Sequence, residues 1–263
     1  MEVHHHGHHE GKKSWRAYFW EFIMLFLAVF CGFLAEYQLE HKIEHDRAHE
    51  LAKSFYRELR NDSIAAGIKV QNRLKQEAAL KYLMKYYRDS SLVNVPKAFT
   101  INFEYGISFR TPTVFEPRTF MLDQLINSGS LRYFKNEELQ TLTGDLIVAL
   151  KNIYDRQELE TQTRMQYINP ILMQEYDYEF DAALKEGEKE ISVFEGLRNY
   201  ENSTDSIPFH LSDVDKIDRK NVVKILSFYN GNVVSSTRKV HIQRYIDVNT
   251  ALLKLLREEY HLK

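Results

Sequence analysis

The run from Ala17 to Ala35 is nineteen residues long and carries a single charged side chain, Glu21. At 1.5 Å per residue a helix of that length reaches about 28 Å, close to the ~30 Å hydrocarbon thickness of a bilayer. Tyr18, Phe19 and Trp20 crowd its first turn, where an interfacial aromatic belt belongs. The next apolar stretch, Leu146 to Leu150, spans five residues and reads as helix core. Signal-peptide cleavage after Ala35 would put Phe33 at the −3 position, where a small residue is needed. A lipoprotein signal would need small residues before Cys31, but Val29 and Phe30 stand there. The segment is therefore expected to remain as one membrane span. Glu21, one turn inside it, is expected to reach the near interface beside Arg16.

Lys12, Lys13 and Arg16 precede the span directly, whereas the first basic residue after it is Lys42, behind Glu36 and Glu40. The positive-inside rule then puts the N-terminus in the cytoplasm. Three parts follow: residues 1–16 as a His-rich cytoplasmic tail, 17–35 as the transmembrane helix, and 36–263 as an extracytoplasmic domain. The bacterial inner membrane is the expected location. Basic and acidic residues nearly balance, 35 against 37, so the electrostatic case for nucleic acid is missing. One cysteine excludes an intramolecular disulfide framework.

The domain reads as all-α, an antiparallel helical bundle entered by the long helix that continues from the span. No Gly or Pro falls between Gly32 and Gly67. Leu51, Phe55 and Leu59, then Leu80, Leu83, Met84 and Tyr87, follow helical spacing. Arg60–Ser63 and Gly67 mark an expected kink. From Phe99 to Phe109 apolar residues alternate, which predicts an extended connector or short hairpin. Pro117 and Gly129 bracket a short helix, Asn136 is placed to cap a long one, and Pro170 to bend it. Gly196–Ile207 reads as a polar loop, and a last helix is expected from about Ser212.

Motifs for nucleotide binding, serine hydrolysis or zinc proteolysis do not occur, and no enzymatic activity is expected. Asp213 and Asp215 suit a polar helix start, and Glu175–Asp181 a solvated acidic face. Two histidine clusters remain as metal candidates. His4, His5, His6, His8 and His9 form a tail that zinc or nickel would bind weakly. His41, His45 and His49, four apart, form one slowly drifting stripe on a helix, whose adjacent members could chelate one ion. A second chain would have to complete that site.

The N-terminus, MEVHHHGHHEGKK followed by YFWEFIMLFLAVFCGFLAEYQLEHKIEH, resembles that of an uncharacterised bacterial single-pass membrane-protein family with a His-rich start. FRTPTVFEPRTFMLDQLINSGSLRYFKNEEL is similar to that family's recurring pattern. Here the pattern falls on Arg118, Thr119, Phe120, Gln124, Leu125, Ser128, Gly129, Leu131, Arg132, Asn136 and Glu137. The resemblance covers the anchor and the middle of the chain. It implies that the His-rich tail is native and that an anchored helical domain follows, and it implies no activity. The expected function is a membrane-anchored interaction or scaffold protein that meets a protein partner or a second copy of itself. A sensory or ligand-binding subunit and a metal-handling protein are the alternatives. In the Arg118–Gly129 segment, Phe120, Leu122 and Leu125 are expected to dock onto the bundle.

Overall fold

The computed structural model describes residues 14–184 and 192–262, and these contain no β-strand. The chain divides into two units, Met1–Ala52 and Lys53–Lys263. Helix α1 (Trp15–Asp89) begins in the first, and its apolar stretch is long enough to cross a membrane. Trp20, Phe22, Met24, Leu25 and Phe33 are all exposed. Phe22, Phe26 and Phe30 stack in a line, with ring centroids 6.3 and 5.9 Å apart. A helix apolar on every side suits lipid better than water.

The second unit is a bundle built on heptads. Along α1, Leu59, Ala66, Arg73, Leu80 and Tyr87 recur every seven residues, none more than 2% exposed. Helix α4 (Glu137–Thr163) repeats the device with Leu139, Leu146, Ile153 and Glu160. A seven-residue repeat keeps one stripe of a helix against its neighbours, and burial of that stripe stabilises the bundle more than helix propensity does. The C-terminal rod, α8 (Arg219–Phe228) and α9 (Gln243–Tyr260), runs antiparallel to both. Arg257 reaches Tyr56 at 2.7 Å, Asn249 the Leu59 carbonyl at 3.0 Å, and Arg238 Glu77 at 2.6 Å. Against α4, Asn136 meets Glu259 at 2.6 Å and Arg244 meets Asp145 at 3.0 Å.

Several local expectations hold. The Asn136 side chain accepts the N–H groups of Glu138 and Leu139 and caps α4. Helix α3 (Phe120–Asn127) ends just before Gly129, whose φ of +67° is left-handed. A π-helical turn, Arg164–Ile168, separates α4 from α5 (Asn169–Glu175). Pro170 cannot donate to a carbonyl one turn back, and the wider turn before it absorbs that loss.

Three expectations are corrected, and at the expected kink the helical assignment continues. Phe99–Phe109 is not extended: α2 (Lys97–Phe103) and a π turn, Glu104–Ser108, occupy it. Phe99, Phe103 and Ile107 are fully buried, and a period of two contains within it this helical period of four. Gly196–Ile207 is not all loop, because α7 (Val193–Asn202) runs through its first half. Ser192 caps α7, and Leu197 and Tyr200 bury one face. Helix α1 stays α-helical through Arg60–Ser63 and Gly67. Asp62 does not compete with its own backbone, since its carboxylate is taken by the Arg118 N–H and the Tyr245 hydroxyl. The last helix starts at Arg219, and π-helical turns at Tyr229–Ser235 and Thr237–Ile242 part α8 from α9.

Candidate functional site

Helix α6 (Tyr178–Ala183) completes the set of elements around which the polar groups gather. Glu58 and Asp62 lie one turn apart on α1 and face the segment leading into α3. Both Glu58 oxygens accept the Met121 N–H at 3.0 Å, and one also accepts Leu122 N–H at 3.4 Å. Asp62 Oδ2 accepts the Arg118 N–H at 2.9 Å and the Tyr245 hydroxyl at 3.3 Å. The first N–H groups of a helix have no partner within it, so Glu58 does the work of a cap supplied from another helix, while Asp62 holds the residue just ahead of α3. Burial holds Asp62 up at about 6.

This clamp fixes the orientation of α3. Leu122 and Leu125 face the core, at 3% and 0% exposure. Phe120, expected to dock beside them, is instead 74% exposed. The reason is register: Phe120 opens the helix, and the backbone bonds to Glu58 fix the next two residues toward α1. Ile126, on the same helix, is also exposed. Ile147, Val148 and Tyr154 of α4 are exposed as well.

Deeper in the bundle, Arg73 and Glu160 form an ion pair at 2.8 Å, with both side chains essentially fully buried. The Tyr229 hydroxyl donates to Glu160 at 3.3 Å, and Arg164 reaches Tyr229 at 3.2 Å and the Ile107 carbonyl at 2.7 Å. Arg73 Nε and Nη1 have no hydrogen-bond partner among the described residues. Two further carboxyls are buried without a paired cation among the described residues. Glu104 Oε1 accepts the Tyr176 hydroxyl at 2.5 Å, and Asp181 lies within reach of the same hydroxyl. Glu175 accepts the Tyr87 hydroxyl at 2.5 Å. Burial pushes Glu104 and Glu175 each up to about 7.

The metal candidates fare differently. His4, His5, His6, His8 and His9 lie outside the described residues. His41, His45 and His49 lie along α1. The Tyr37 ring packs on the edge of His41 at 4.3 Å, and His45 and His49 stand 3.7 and 3.9 Å from Asp46 and Glu50. Among the described residues no group of three or more His, Cys, Asp or Glu side chains gathers as a metal site.

Sequence reasoning overlooked the buried charges. Glu175 was expected on a solvated face, yet it is 2% exposed. Its signal was available: Ile168, Ile171 and Glu175 share one helical stripe, and the first two are core. Arg73 and Glu160 were equally visible as charges in heptad positions. Compared with protein-family models, curated proteins and solved structures, the chain matches none.

Proposed function

We propose that this chain is a single-pass protein of the bacterial inner membrane that acts as an interaction or scaffold module. Residues 1–16 face the cytoplasm and the helical domain lies outside it, as the Lys12, Lys13 and Arg16 flank favours. The partner is another protein or a second copy of the chain. The resemblance to an uncharacterised family of anchored helical proteins supports the same reading.

One observation carries it. Phe120 stands 74% exposed on a segment that two buried carboxylates hold rigid. An exposed aromatic residue on a fixed backbone loses little entropy when it is covered, which is the usual profile of an interface anchor. The Arg118–Gly129 stretch thus presents a side chain outward that the bundle itself does not need.

A photo-crosslinking side chain at position 120, introduced into the full chain in native membranes, tests this directly. A discrete adduct at 120, missing when the probe sits at the exposed Val240, is the expected result. Equal labelling from both positions, or none from 120, removes the basis for the reading.

A further inference from the structure

Glu175 ends α5 with its carboxyl group only half used. It is 2% exposed, its Oε2 accepts the Tyr87 hydroxyl, and its Oε1 makes no hydrogen bond among the described residues. Glu175 lines a cleft of about 290 Å³, together with Gln166, Gln174, Asp218 and Asn221. An adjoining cavity of about 390 Å³ shares Tyr167, Asn221 and Ile225 with this cleft and adds Phe228. The Tyr167 and Phe228 rings meet edge-on at 6.4 Å and are part-exposed.

A buried carboxylate with unused lone pairs and no cation is costly unless a donor completes it. None of the described groups around Glu175 donates to Oε1, although the amides of Gln166, Gln174 and Asn221 line the same cleft. Tyr87 from α1 already gives its one proton to Oε2. Arg219 of α8 turns to the Ser90 carbonyl at 2.7 Å. Lys216, at the rim, pairs with Asp213 at 3.1 Å, and Asp218 adds a second negative charge there. Lys224 lines the outer cavity. The cleft therefore carries two carboxyl groups and neutral amides, and the adjoining cavity adds the aromatic pair.

We propose that this cleft binds a primary ammonium carried on a short aromatic body, whose N–H groups donate to Glu175 Oε1 while the body rests against Tyr167 and Phe228. A charge-assisted bond of this kind is stronger than a neutral one, and the aromatic pair contributes apolar contact. The inference goes beyond the interaction role, because the cleft uses none of the residues around Phe120. It also carries a pH signature. Burial raises Glu175 to about 7, whereas a primary amine stays charged, like lysine, up to about pH 10. The ionised fraction of Glu175 falls about tenfold between pH 8 and pH 6, and the apparent affinity falls with it.

The test is calorimetric titration of phenethylammonium into the full detergent-solubilised chain, with 2-phenylethanol as the neutral probe of the same shape. Saturable binding of the amine, about tenfold weaker at pH 6 than at pH 8 and lost in Glu175→Gln, is expected. The alcohol should bind at least tenfold more weakly. Should Glu175→Gln fail to fold, Asn221→Trp decides, since the indole fills the cleft from an exposed position of α8; binding must then disappear. Lack of saturation, equal affinity for the alcohol, or binding that survives in either folded variant overturns the proposal.

Discussion

Both oxygens of Glu58 lie 3.0 Å from the amide nitrogen of Met121, a residue sixty-three positions further along the chain. This bond, with its neighbour from Asp62, ties the short helix α3 to α1. Hydrogen bonds to a charged group contribute about 1.5–3 kcal/mol each when the partner is left buried. Glu58→Ala should therefore destabilise the bundle by roughly 2 kcal/mol in urea unfolding followed by circular dichroism. Hydrogen exchange should accelerate first at the Met121 and Leu122 amides. An unchanged exchange rate at those two positions would mean that α3 is held by its leucines alone.

Phe120→Ala separates stability from recognition. A side chain this exposed contributes little to folding, so the change should stay within about 0.5 kcal/mol. The buried neighbour gives the contrast: Leu125→Ala should cost ~2–5 kcal/mol through the cavity it leaves. If Phe120→Ala cost as much as Leu125→Ala, the aromatic ring would be part of the core after all.

The response to pH follows from three carboxyls. Glu104 and Glu175 are raised to about 7 and Asp62 to about 6, each above its ordinary value, because burial disfavours the charged form. The folded chain therefore holds protons that the unfolded chain has released. Their stabilising contribution is complete below about pH 4 and is lost as the pH rises through 6 and 7. The urea midpoint should be higher at pH 5 than at pH 8. Glu104→Gln should recover roughly 3 kcal/mol at pH 8 and flatten the profile. A midpoint that rises from pH 5 to pH 8 in the wild type would contradict this assignment.

The Arg73–Glu160 pair gives a sharper double test. Removing one member of a buried pair leaves the other charge uncompensated, at a cost of about 3–5 kcal/mol. Arg73→Met should show this loss, while Arg73→Met with Glu160→Leu should restore most of the stability. Additive losses in the double variant would show that the two side chains act independently.

Much of this architecture is legible in the residues. Asn136, Gly129 and the heptads of α1 and α4 announce their roles, because caps and apolar stripes act over one or two turns. The helix long and apolar enough to cross a membrane is equally plain. Errors arose where a tertiary partner decides. Nothing local says that Asp62 will serve Arg118, or that Glu58 will turn α3 so that Phe120 faces out. Alternation at Phe99–Phe109 was ambiguous because a helix also buries every fourth residue. The buried charges were readable in principle: Arg73 lies seven residues from Ala66 and from Leu80, and Glu160 seven from Ile153. A charge at such a position calls for an opposite charge at another, and here the two answer each other.

Tyr176 has a single hydroxyl hydrogen, yet its oxygen lies within bonding reach of both Glu104 and Asp181. One contact can use the phenolic hydrogen; the other must use a proton that a carboxyl brings. The three oxygens therefore form a closed circuit only while they share two protons and one negative charge. Losing the carboxyl's proton leaves two anions contending for one donor, and one contact has to open. Glu104 belongs to the turn after α2 and Asp181 to α6, so the circuit is also a joint between separate parts of the chain. Its strength is counted in protons, and the surrounding solution sets that count.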